Sequence, residues 1–322
     1  MDKFKVFSIN RVFLLTVIFS IIGSFINGYI FNYTDNYLIV LLTSQIILIL
    51  PSLIYLLKNN VKLTDGIRFK KIGLSNIILL VVFSYLIMPL MTFINAISML
   101  FVENTTSNIM LSVVEKNGIW LSLFMVAFIP AILEESVYRG IFYNEYRKAN
   151  PSKAIFLSAF LFGIIHLNFN QFAYAFAMGI VFALIIEATD SILSSMIIHL
   201  IINGNSIFTL YLYPKLMGFV DKFYGSSLVG DNFDIEEYIH DMTQNIDEIL
   251  DFSYIMTMYF LPAIICTILS FVVFRTIAKN TGRWEYIKDI FKGNQKNKRL
   301  ISISLVIAII ICIILMITQE LI

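Results

Sequence analysis

The sequence predicts an all-α protein, a polytopic transmembrane bundle of eight or nine spans. Three observations carry that expectation. Of 322 residues, 58% are hydrophobic and only 14% charged, where an average soluble domain carries about 25% charged residues. The mean hydropathy is +0.82. Apolar runs long enough to cross a bilayer, about 20 residues each, recur along the chain. Lipid leaves no partner for bare backbone N–H and C=O groups, so runs of this kind fold as helices.

The runs cover residues 12–31, 37–57, 74–102, 119–142, 154–167, 172–186, 192–213, 254–274 and 300–317. The fifth and sixth are short, and a short helix buried inside the bundle is the alternative for either. Lys3, Lys5 and Arg11 precede the first run and no small-residue cleavage site is evident, which points to an uncleaved helix rather than a signal peptide. An alternating path with the N-terminus in the cytoplasm puts all but Lys116, Lys215 and Lys222 of the 23 lysines and arginines inside, as the positive-inside rule requires. Between the second and third runs, residues 62–76 mix Ile67, Phe69 and Ile72 with Arg68, Lys70 and Lys71. That pattern suits a short interfacial helix or a loop against anionic lipid.

Pro89, Pro130 and Pro262 interrupt apolar runs, and Pro130 predicts a kink just ahead of the acids discussed below. Residues 214–251 carry nine acids against Lys215 and Lys222, which reads as a solvated extracytoplasmic cap, with a gating lid as the alternative. His240 lies within that acidic stretch. Cys266 and Cys312 both sit in apolar runs and read as small buried hydrophobes. The net charge of +1 gives no sign of a nucleic-acid partner. The partners expected are the lipid bilayer and a membrane-borne molecule.

Within this apolar background, Glu134, Glu135 and Arg139 stand where a span should carry no charge. A charge at bilayer depth costs at least ~2.5–3.5 kcal/mol, so such residues are paired or functional. Glu135 and Arg139 share a helix face with the acid N-terminal, the favourable order. Glu134 is rotated about 100° away, so one carboxylate is structural and the other free for chemistry. Phe162 and His166 share a face of the next run, and His199 and Asn203 share a face of a later one. A lone histidine in a span is often only a helix–helix hydrogen-bonding residue, worth ~0.6 kcal/mol on average. A proton or ion pathway of a transporter explains Glu134 and His166 but leaves His199 and Asn203 without a role. Hydrolysis uses every member. A carboxylate takes a proton from water with a histidine beside it, and an imidazole N–H with an amide stabilises an oxyanion. Zinc on Glu134, His166 and His199, with water in the fourth position, is the alternative. No H-E-x-x-H helix is present to support it.

Glu134-Glu135-x-x-x-Arg139, Phe162-x-x-x-His166 and His199-x-x-x-Asn203, in that order on successive apolar segments, resemble the three motifs of the CPBP family. These are the CAAX proteases and bacteriocin-processing enzymes, related to the Ras-converting CAAX endopeptidase. The resemblance implies an intramembrane endopeptidase with Glu134 as the base, assisted by His166, and His199 and Asn203 as the oxyanion hole. Glu135, Arg139 and Phe162 would support them. It leaves open whether zinc takes part, and Tyr138 stands where many members have phenylalanine. A non-catalytic membrane regulator or a bacteriocin self-immunity protein on the same fold is the second functional class that it implies. On this basis residues 1–117 are N-terminal transmembrane helices and 118–213 a CPBP-like catalytic core. Residues 214–251 form the acidic loop and 252–322 the C-terminal transmembrane helices. The Ile-, Asn- and Lys-rich composition suggests an AT-rich bacterial genome, and hence a bacterial multi-pass cell-membrane protein.

Overall fold

A computed structural model describes residues 3–34, 37–58, 68–102, 105–224, 252–292 and 299–321. Among the described residues the elements are all helical. Helices α1 (Lys3–Phe31) and α2 (Tyr37–Lys58) pack against each other, followed by α3 (Leu74–Met99) and α4 (Thr105–Ser122). Next come α5 (Ile129–Glu135), α6 (Asn144–Arg147), α7 (Pro151–Ile164), α8 (Phe169–Thr189) and α9 (Ile192–Tyr224). The C-terminal part holds α10 (Phe252–Ile255), α11 (Leu261–Asn280), α12 (Trp284–Phe291) and α13 (Ile303–Leu321).

Eight of the described helical stretches are long and apolar enough to span a membrane. The fifth run is not one of them. It becomes α7, whose 14 residues rise only about 21 Å against a hydrocarbon core of about 30 Å. The sixth run, expected to be short, is the 21-residue α8. Asn170, Gln171 and Glu187 lie inside this helix, so the apolar window stopped short of its real ends. Helix α9 continues for 33 residues through Pro214, where the sequence suggested the start of an acidic loop. The remainder of that loop, with His240, lies outside the described residues. Residues 62–67 of the expected interfacial segment lie outside them too. Residues 68–73 are not helical, and α3 begins at Leu74. This stretch is tied down by Ile192, whose N–H donates to the Arg68 carbonyl at 3.2 Å.

Caps on α7 and α8 follow simple chemistry. Asn150 and Asn168 each accept a backbone N–H three residues ahead, at 2.9 Å, and Pro151 sits where a helix needs no N–H. Leu167 and Asp190 adopt left-handed φ of 55°, which closes α7 and α8. Helix α8 lies between two apolar cores. Ala175, Ala183 and Ile186 pack into one, with α1, α7 and α13. Met178, Phe182 and Ile185 pack into the other, with α3 and α11. A helix apolar on all sides is an interior helix. Isoleucines 310, 314 and 317 of α13 point outward, as a lipid-facing surface requires.

The segment that carries the acids is the least regular span. Between Ile109 and Arg147 the chain stays helical in outline but breaks at Gly118, where φ is 71°. Two π-helical stretches, Leu123–Phe128 and Ser136–Tyr143, flank α5. Pro130, where a kink was expected, sits in the first turn of α5, directly after the π stretch that ends at Phe128. Single π turns inside α-helices are frequent at functional sites.

Candidate active site

Glu134 and Glu135 close α5, between the two π stretches. Glu135 is fully buried. Its Oε1 accepts from Arg139 Nη1 and from His199 Nδ1, each at 3.1 Å. An ionised carboxylate only accepts, so the His199 proton sits on Nδ1. The Arg139 guanidinium lies 4.1 Å from the Phe162 ring centre and 5.0 Å from that of Phe182. Arg139 is thereby held by one carboxylate and two aromatic faces, a cation–π arrangement strengthened by desolvation. Space for it depends on Gly179. A Cβ there would come within 2.7 Å of Ala159 Cα and 3.2 Å of Arg139 Nη2.

Glu134 looks elsewhere, and its side chain keeps 14% exposure. Its Oε1 accepts from Gln45 Nε2 of α2 at 2.9 Å. Its Oε2 lies 4.0 Å from His199 Nε2, too far for a direct hydrogen bond and within the span of one bridging water. His199 therefore stands between the two neighbouring acids, with Phe182 stacked on it at 5.2 Å.

His166, in the turn that follows α7, donates Nδ1–H to the Phe162 carbonyl at 2.8 Å, since a carbonyl can only accept. That leaves its Nε2 as an acceptor. The Phe162 ring stands between the two imidazoles, 5.2 Å from His166 and 6.2 Å from His199. Asn203, one turn beyond His199 on α9, donates Nδ2–H to the Val126 carbonyl at 3.1 Å. Val126 lies in the π stretch Leu123–Phe128, and the residue four further on, Pro130, has no N–H to compete for its carbonyl in α-helical register. The contacts thus gather Glu134, Glu135, Arg139 and His199 directly. His166 joins through Phe162, and Asn203 through the backbone ahead of α5. Among the described residues no group of three His, Cys, Asp or Glu side chains is close enough to hold a metal ion.

Sequence reasoning missed two features. Gln45 is the single amide in the apolar run 37–57, a signal that was available. The other is Glu187 of α8, also fully buried. It accepts from Arg68 Nη1 at 3.1 Å, Arg147 Nη2 at 2.8 Å, Arg283 Nη2 at 3.2 Å and the Tyr143 hydroxyl at 2.9 Å. Asp190 pairs with Arg68 and Lys70 beside it. These contacts bring the ends of α6 and α8 and the starts of α3, α9 and α12 to one basic end of the bundle.

Residues 116–204 match the family described as type II CAAX prenyl endopeptidase Rce1-like. The matched block runs from the end of α4 to just past Asn203 and contains all three motifs. Neither a curated protein nor a solved structure matches the chain.

Proposed function

We propose that this chain, which over residues 116–204 belongs with the CAAX-type membrane proteases, cleaves a peptide bond of a membrane-borne protein or peptide by glutamate-activated hydrolysis. Glu134 takes the proton of a water held between its Oε2 and His199. The water oxygen attacks the scissile carbonyl carbon and forms a tetrahedral oxyanion. One Asn203 amide hydrogen is engaged by Val126, and the second donates to that oxyanion; His199, with its proton on Nδ1 toward Glu135, offers Nε2 to the water as an acceptor and is not the second oxyanion donor expected from its spacing. Collapse breaks the C–N bond as the proton on Glu134 passes to the leaving amine, which frees the new C-terminal carboxylate. His166 assists Glu134 with its unprotonated Nε2. Glu135 and Arg139 fix the His199 tautomer and ring plane, much as a buried carboxylate orients a catalytic imidazole.

The single observation that carries the proposal is the 4.0 Å separation of Glu134 Oε2 from His199 Nε2 while Glu135 holds the opposite edge of that ring. It gives two adjacent acids separate tasks. No step is routed through a metal ion. In this reading the N-terminus faces the cytoplasm with the basic end around Glu187 on the same side, an orientation supported by the distribution of lysine and arginine along the sequence. Comparison of membrane-fraction C-termini between wild-type and Glu134→Gln cells tests the function. A new C-terminus that depends on Glu134 is the expected result. Identical peptide patterns, with the biological effect retained, would make the chain a non-catalytic regulator on the same scaffold.

A further inference from the structure

Gln45 is the one polar side chain from outside the family-matched block that touches the acid cluster in the described contacts. It sits on α2, and its partner Glu134 lies 89 residues further along the chain. From this we infer that Gln45 is a positioning residue of the active site, which aims Glu134 and completes its hydrogen bonding; the inference rests on the hydrolytic function proposed above.

A glutamate side chain has three rotatable bonds, and an acid acting on a water must present one oxygen in one direction. The Gln45 Nε2–H takes Oε1 at 2.9 Å and leaves Oε2 turned toward His199. Glu134 has no basic side chain one helical turn away, so no neighbour on its own helix can do this: Tyr138 occupies that place. The hydroxyl of Tyr138 is itself buried without a hydrogen-bond partner. An amide is suited to the task, because it donates to the carboxylate without neutralising it. A lysine or arginine would form an ion pair and lower its strength as a base.

The second half of the same amide is an unused acceptor. Gln45 Oε1 is buried and has no hydrogen-bond partner. A buried, unsatisfied carbonyl oxygen is costly to keep. A water lodged beside Gln45 would satisfy this acceptor, so one planar group would hold the base through its donor and order nearby water through its acceptor.

The experiment compares Gln45→Met, Gln45→Lys and Glu134→Gln in detergent, following thermal midpoint, kcat and KM on a peptide cleaved by the wild type. Methionine matches the length of glutamine and removes both polar atoms. Lysine keeps a donor toward Glu134 but introduces a charge. The expected result for Gln45→Met is a fall in kcat of tenfold or more, with KM within about twofold and an unchanged thermal midpoint. Gln45→Lys should recover part of that kcat. A residue that merely packs α2 would rank them oppositely, methionine tolerated and lysine damaging. Wild-type kcat in Gln45→Met, with Glu134→Gln inert, would overturn the positioning role and leave the hydrolytic function standing. Full cleavage by Glu134→Gln would overturn both.

Discussion

Glu135 and Glu187 are the same residue type at the same burial, each fully withdrawn from solvent, and the structure uses them in opposite ways. Glu187 is saturated. Three guanidinium groups and a tyrosine hydroxyl surround its two oxygens, and they come from three separate stretches of chain. Its pairing clamps the bundle at one end. Glu135 has one guanidinium and one imidazole, both on the same oxygen. An arginine partner cannot release its proton, whereas an imidazole can. Burial alone therefore does not decide what a carboxylate can do; the chemistry of its partners does.

That contrast can be broken in several ways. The largest expected effect falls on the acid next door. Glu134→Gln should abolish cleavage, a loss of at least ~10²-fold for a general base, while the thermal midpoint stays unchanged. A residual rate near wild type would remove the distinction between Glu134 and its neighbours. Asn203→Ala should lower turnover by ~10²–10³-fold, the usual cost of one oxyanion donor, as single-turnover kinetics would show. Glu187→Ala reads the other side of the comparison. It strands three arginines, and breaking a buried pair costs ~3–5 kcal/mol, so the yield of folded protein should collapse. A stable, active Glu187→Ala protein would mean that the saturated cluster is not a clamp. Smaller still is Gly179→Ala, expected to cost ~1–3 kcal/mol by overpacking. Because the added methyl meets both Ala159 and the Arg139 guanidinium, it should lower activity along with the melting temperature.

The two acids also differ in how far the sequence revealed them. Glu135 and Arg139 are one helical turn apart, so their pairing follows from spacing alone, and it is observed at 3.1 Å. The Glu135–His199 contact crosses 64 residues and the Arg68–Glu187 contact 119. No periodicity reports such distances, because they depend on how helices pack and not on how any one of them winds. Helical class and most spans were legible for the opposite reason: a bilayer dictates length and composition locally. Where that local signal failed, at α8, a charged side chain inside the helix had its partners elsewhere. Glu187 shortened the apparent span of α8 because its partners lay far along the chain. Gln45 was visible as a lone amide but had no visible purpose until α2 was placed beside α5.

Asn203 donates to the Val126 carbonyl, and Pro130, four residues after Val126, has no N–H to compete for that oxygen in α-helical register. An energetic link between positions 130 and 203, 73 residues apart in sequence, is the consequence to test. Alanine at position 130 would restore the missing donor and release the Asn203 amide from its backbone anchor. In a double-mutant cycle the separate costs of Pro130→Ala and Asn203→Ala should then fail to add. Strict additivity would show that the asparagine is indifferent to the proline. A sizeable coupling would make Pro130 a remote setting for the amide's orientation, one that changes turnover without touching the substrate.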